Sequence, residues 1–343
     1  MKRLVIAPNW IGDAVMSLPF VRALRRAGRG DRISVLARRG PAAIYRAEGS
    51  VDEVLLRSSF LADVAALRRG RFDEAWLLPN SFRAALLAFG SGARRRIGYA
   101  TDRRGALLTD ALPPPPGTAH QLRDYDALLA AHAIAPDEDP PRLALPEPAA
   151  RRAEAALAAA GLAGARFVAL CPGSAFAATK RWPAERYGAL ADTLAGRGLP
   201  CVLLIGPGER ELGARVAASA RSALPVVGAD LDPVELAAVL ARARCAVTND
   251  SGPMHLAGAV GTPVVAFFGA TDPGRTGPSG SPSRVLDRYV FCSPCFRTEC
   301  PYGHECMKEI AVADAVSAVL ELVEAGGRRQ EAGPASGGLP PAT

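Results

Sequence analysis

Short runs of Val, Ile and Leu alternate along the chain with segments whose apolar residues recur at helical spacing. That alternation is the mark of βα units around a parallel sheet, whose doubly covered strands read as continuous apolar runs. Strands are expected at residues 3–8, 32–37, 51–56 and 73–78, with helices starting near Ala14, Pro41, Leu61 and Phe82. A helical stretch at 120–132 leads into residues 136–148, where five prolines in thirteen residues oppose both helix and central strand. After this linker the pattern restarts. Strands are expected at 166–171, 200–206, 225–228, 245–249 and 263–269, and helices at 183–196, 209–220, 233–243, 252–260 and 308–325. The fold class is therefore α/β, with an N-terminal unit at 1–135, a linker at 136–148, a C-terminal unit at 149–325 and a Gly/Pro/Ser/Ala-rich disordered tail at 326–343. Two doubly wound units imply a cleft, and ligands of such sheets sit outside the carboxyl ends of the strands.

At 343 residues and 49% apolar content, the chain can bury two cores. No apolar run approaches the roughly 20 residues that span a bilayer, and Asn9 and Asp13 interrupt the opening run too early for a secretion signal. A cytoplasmic location is expected. The net charge of +7 is uneven, +9 over residues 1–135 and −2 over the remainder, so the first unit should face something acidic. Arginines at 94–96 and 103–104 are expected to supply that contact. Lysines number only three, which makes Lys180 informative.

Three loops at predicted strand ends carry candidate chemistry. In Asn9-Trp-Ile-Gly-Asp-Ala14, Asp13 falls at a helix start, where a carboxylate either caps the helix or, facing a cleft, serves as a general base. In Cys171-Pro-Gly-Ser174 and Thr179-Lys-Arg-Trp-Pro183, the amides around Ser174 with Lys180 beside them suit an anion. In Thr248-Asn-Asp-Ser-Gly-Pro-Met-His255, Ser251 and Gly252 leave room for a phosphate at a helix start, with Asp250 before it and His255 one turn in. The stretch Gly206-Pro-Gly208-Glu209 lacks the third glycine of a dinucleotide fingerprint, which excludes a nicotinamide site but leaves Glu209 and Glu211 as acceptors for ribose hydroxyls.

Together with Leu77-Leu-Pro-Asn-Ser-Phe82, these loops resemble the lipopolysaccharide heptosyltransferases in order and over nearly the whole chain. The resemblance implies a GT-B fold, in which two Rossmann-like domains face a cleft, the sugar nucleotide held by the second and the acceptor by the first. It implies inverting transfer of L-glycero-D-manno-heptose from ADP-heptose to a lipid A acceptor bearing Kdo and heptose, without a cofactor for the chemistry. The general base would fall on Asp13, the diphosphate-binding lysine on Lys180, the ribose-binding glutamate on Glu209, and the nucleotide loop on Asp250, Ser251, Gly252 and His255. Contact with the anionic inner face of the inner membrane would be peripheral. Another GT-B transferase, a nucleotide-sugar epimerase or a binder of anionic polymers are the competing readings; nucleic acid is disfavoured because the basic residues are scattered without an aromatic platform.

Cys292, Cys295, Cys300 and Cys306, with His304 among them, fall within fifteen residues. Four thiols so close in a reducing compartment read either as a structural Zn²⁺ site or as a cluster of reduced, partly buried thiols.

Overall fold

The computed structural model describes residues 1–331, and its elements follow the buried apolar runs. The first sheet comprises β1 (Lys2–Ile6), β2 (Arg32–Ala37), β3 (Glu53–Leu56), β4 (Glu74–Leu77), β5 (Arg95–Tyr99) and β6 (Asp110–Leu112). All its pairings are parallel, in the order β3-β2-β1-β4-β5-β6. Around it lie α1 (Ile11–Met16), α2 (Leu18–Ala27), α3 (Arg39–Ala47), α4 (Phe60–Gly70), α5 (Phe82–Ser91) and α6 (Gln121–Ala130). After an irregular stretch comes α7 (Glu147–Ala159) and a second parallel sheet in the order β12-β11-β10-β7-β8-β9. Its strands are β7 (Val168–Cys171), β8 (Cys201–Leu204), β9 (Val226–Val227), β10 (Cys245–Asn249), β11 (Val264–Phe268) and β12 (Ser283–Asp287). The remaining helices are α8 (Ala184–Ala195), α9 (Arg210–Ser219), α10 (Pro233–Leu240), α11 (Gly252–Ala259), α12 (Pro273–Thr276), α13 (Glu305–Lys308) and α14 (Val312–Glu331).

Strand order fixes where ligands can enter. In the first sheet the direction of winding reverses between β1 and β4, and in the second between β7 and β10. Outside the carboxyl ends at these two reversal points lie the loops bearing Asp13, Ser174 and Asp250 to His255. The two halves meet through α1 and α3 on one side and α10 and α11 on the other. One apolar cluster runs unbroken across that boundary, from Val5, Phe20 and Trp76 to Phe167, Val239 and Phe268.

Several elements escaped the apolar pattern for physical reasons. β5 opens on Arg95 and Arg96, and the edge strand β12 is only half-buried, so neither reads as an apolar run. The helix expected to start near Ala14 begins instead at Ile11 and breaks at Ser17, because Pro19 sits in the first turn of a new helix. The 136–148 segment is irregular up to Pro146, but Glu147 and Pro148 already form the first turn of α7, where proline loses no hydrogen bond. Asp137 anchors this segment to α2 through Arg22 at 2.6 Å and Arg26 at 2.9 Å. The helix expected at 308–325 is interrupted after Lys308 and then continues to Glu331, so residues 326–331, expected in the tail, are helical. The rest of that tail lies outside the described residues.

Candidate active site

Asp13 is the third residue of α1, and Trp10 supplies the helix cap through its backbone alone. The expected capping role is therefore not what this carboxyl performs. It points among Tyr45, Tyr125 and Gln121, whose Nε2 donates to Tyr125 Oη at 3.0 Å. Burial pushes the Asp13 pKa up to about 6, with Asp250 adding to the rise and Gln121 and Lys180 opposing it. Desolvation thus outweighs the stabilisation that a helix start gives an ionised carboxylate.

The starts of α1 and α11 touch across the boundary. A methyl group on Gly12 would stand 2.5 Å from His255 Cδ2, and one on Gly252 would stand 3.1 Å from Ile11 Cβ. Glycine at both positions makes room for a side chain of the opposing helix start, the His255 ring and Ile11 respectively, and is not there for a turn. His255 is buried, its Nδ1 has no hydrogen-bond partner, and burial lowers its pKa to about 4 with His120 and Lys180 contributing. It is neutral at pH 7. No side chain caps α11, so its opening amides remain open to an anion.

Lys180, in a short 3₁₀ turn after β7, reaches back to the loop after β10, where its Nζ lies 2.6 Å from Asp250 Oδ2. Thr271 Oγ1 donates to that same oxygen at 2.7 Å and Thr276 Oγ1 to the other at 3.3 Å. The Phe176 ring covers the ammonium at 5.3 Å and meets Trp10 edge-on at 6.0 Å, so the aromatic contact also crosses between halves. Lys180 is accordingly an oriented, largely buried cation and no solvated loop charge.

Asn249, at the end of β10, ties down the β7–α8 connection and α8 itself. Its Oδ1 accepts from Trp182 N at 3.0 Å and Tyr187 Oη at 3.1 Å, while its Nδ2 donates to Pro172 O at 2.8 Å and Gly173 O at 3.2 Å. Ser174 is buried in the loop so held, and its carbonyl accepts from Arg181 at 2.9 Å. Glu209 crosses to the same loop: its Oε2 accepts from Gly206 N at 2.8 Å, and a methyl on Gly173 would stand 2.1 Å from Oε1. Glu209 and Glu211 line a cavity of about 270 Å³ together with Arg181, Gly208, Leu212 and Arg215. Asn249, Gln121, Thr271 and Thr276 were not singled out in the sequence. Asn249 lies inside a motif, whereas the others are separated from their partners by folding and carry no local signal.

The expected arginine contact needs correction. Arg95 and Arg96 open β5, at the sheet end opposite Asp13; Arg95 pairs with Glu74 and Asp110 at 2.8 Å each, and Arg96 holds Leu107 O at 2.7 Å. Arg104 is fully buried and binds the carbonyls of Tyr99, Pro79 and Ser81. Arg104 is thus closed to a ligand, while Arg95, still half-exposed, and Arg96 spend donors on the fold away from Asp13. The cysteine loop is tied beside the Lys180 turn, through Thr179 Oγ1 to Arg297 O at 2.6 Å and Phe296 N to Ala270 O at 2.7 Å. Cys306 is buried, and burial raises its thiol pKa together with Cys292, Cys295 and Cys300. His304 Nε2 is buried without a partner. Yet the cysteines are all free thiols, and among the described residues no three ligand-type side chains stand close enough to hold a metal ion.

Comparison with known proteins agrees with this arrangement. The model of glycosyltransferase family 9 (heptosyltransferase) matches residues 62–305. Lipopolysaccharide heptosyltransferase 2 of Salmonella typhimurium is 30% identical over 305 residues, covering 83% of this chain and 88% of that protein. Its Escherichia coli namesake is 28% identical over the same shares. The solved structure of E. coli ADP-heptose lps heptosyltransferase II superposes with a TM-score of 0.83 at 25% identity, covering 95% of this chain and all of that one. Two parallel six-stranded sheets with their loops converging on one cleft match the GT-B architecture of those neighbours. The chain belongs to glycosyltransferase family 9, the heptosyltransferases.

Proposed function

We propose that this chain transfers L-glycero-D-manno-heptose, with inversion, from ADP-heptose to the heptose-bearing inner core of lipopolysaccharide. The observation that carries the reading is one carboxyl, Asp13, tuned to about 6 and within electrostatic reach of the Lys180 and Asp250 pair on the opposing half. Similarity to lipopolysaccharide heptosyltransferase 2 along most of the chain supports the choice of sugar and acceptor.

In this reading Asp13 takes the proton from the acceptor hydroxyl as its oxygen attacks the anomeric carbon from the face opposite ADP. The bond from that carbon to the phosphate oxygen breaks, and ADP leaves with the electron pair. A base with a pKa near 6 is mostly ionised at pH 7 and still basic enough to draw the proton. Lys180, held by Asp250 until the donor arrives, offers its charge to the diphosphate, joined by the amides at Ser251 and Gly252. The Ser174 loop borders the phosphates, Glu209 receives the ribose hydroxyls, and neutral His255 packs the floor without adding charge. The reading assigns the chemistry no cofactor.

The acceptor is borne by lipid, so the chain is read as a cytoplasmic protein working at the anionic face of the inner membrane. The contact is read as peripheral; among the described residues no helix is long and apolar enough to cross a membrane. A structural Zn²⁺ on Cys292, Cys295, Cys300 and Cys306 would require the loop to draw its thiols together. Elemental analysis of protein purified without added metal decides that point: about one Zn per chain supports it, and four freely titrating thiols without Zn or Fe overturn it.

The deciding experiment incubates the protein with ADP-heptose and either a mono-heptosylated or a Kdo-terminated core, and follows the acceptor mass. Gain of one heptose on the mono-heptosylated core alone is expected. Transfer to the Kdo-terminated core would reassign the step to the first heptose, and no transfer to either would overturn the reading.

A further inference from the structure

The carboxyl-end rim of the first sheet carries a second surface beyond the transfer site. Arg38 follows β2, Arg57 follows β3, and Arg83 is the second residue of α5, which puts three guanidinium groups on one edge. They are close enough that Arg38 and Arg83, after burial, lower the pKa of Arg57. Two carboxylates stand beside them: Asp63, 4.0 Å from Arg57 Nε with its other oxygen accepting from Ser58 N at 2.8 Å, and Asp102, whose Oδ2 accepts from Phe82 N at 2.6 Å next to Arg83. This positive charge is therefore only partly compensated.

Large apolar side chains surround these arginines in the open. Leu61 is 79% exposed, Leu56 45% and Phe82 42%, and the Arg83 guanidinium lies 5.3 Å over the Phe60 ring. A soluble anion would call for the cations alone. Exposed apolar tips interleaved with partly compensated cations, Arg38 and Arg83 in the open and Arg57 largely buried behind them, suit a surface that offers both negative headgroups and an acyl boundary.

We propose that this rim, with Arg38, Arg57 and Arg83 and the side chains of Leu56, Leu61 and Phe82, docks the protein on an anionic phospholipid bilayer. The inference rests on the reading of a lipid-borne acceptor. It also supplies a route, because Arg57 donates to Asn9 Oδ1 at 3.0 Å and Asn9 belongs to the loop that leads into α1 and Asp13. An acceptor lifted from the same bilayer would arrive on the side of the base.

Sedimentation with vesicles of phosphatidylethanolamine and phosphatidylglycerol, against pure phosphatidylcholine, tests this. Binding only to the anionic vesicles, weakened by salt, is expected, since each basic residue at such a surface is worth about fivefold in partitioning. Arg38→Ala with Arg83→Ala should then lose about 25-fold, and Leu61→Asp about tenfold or more. Both variants should keep the wild-type melting temperature and transfer heptose to a deacylated, water-soluble acceptor within twofold of wild type, while losing transfer to acceptor embedded in vesicles. Wild type that ignores anionic vesicles, or variants that bind them as wild type does, would overturn the proposal. Failure of transfer to the soluble acceptor by the wild type would instead count against the functional reading, with vesicle binding judged separately.

Discussion

At the scale of single residues, the proposed chemistry turns on Asp13 and Lys180. Because Asp13 must be ionised to accept a proton, kcat/KM should fall as pH drops through about 6, and the acid limb of a pH–rate profile measures it. Asp13→Asn keeps the shape and removes the basicity, so kcat should fall by about 10²–10⁴ while ADP-heptose binding by calorimetry is unchanged. Turnover within a few-fold of wild type would move the base elsewhere. Lys180→Ala should cost about 10²–10³ in kcat, the usual loss for one preorganised charge donor, and single-turnover kinetics would isolate that step. A chelator alone should leave wild-type turnover intact.

At the scale of elements, the site depends on how closely two helix starts approach. Gly12→Ala places a carbon 2.5 Å from the His255 ring, and Gly252→Ala one 3.1 Å from Ile11 Cβ. Overpacking at such a contact typically costs about 1–3 kcal/mol, so Gly12→Ala should lower the denaturation midpoint more than Gly252→Ala does and reduce kcat with it. Asn249 acts on the same scale, since its amide satisfies buried groups at both ends of the β7–α8 connection and on α8. Stranding a buried partner costs about 1–3 kcal/mol, which predicts that Asn249→Ala loses both stability and donor affinity in urea and binding titrations.

At the scale of the whole molecule, two buried groups on opposite halves titrate against each other. The folded pKa of Asp13 is raised from 3.8 to about 6, so folding favours its protonated form and stability from this group is lost as pH rises between those values. The folded pKa of His255 is lowered from 6.5 to about 4, so its contribution grows as pH rises over nearly the same window. Relative to wild type, Asp13→Asn should gain stability toward pH 6.5 and His255→Gln should lose it, which chemical denaturation at a series of pH values would show. Much of the fold was legible in the sequence: the alternating elements, and the strand-end loops at 9–14, 171–183, 206–209 and 248–255 that carry the candidates Asp13, Ser174, Lys180, Glu209, Asp250 and His255, because each loop is a short contiguous string. What folding alone decided is everything measured between strings. The reversal points of both sheets bring Lys180 to Asp250 across 70 residues and His255 to Gly12 across the boundary between halves. Burial there moves Asp13 and His255 away from their ordinary pKa values, and it converts Arg104 from a presumed ligand contact into a strut. Residue type and spacing are properties of the string, whereas desolvation and close approach exist only once distant segments have packed together.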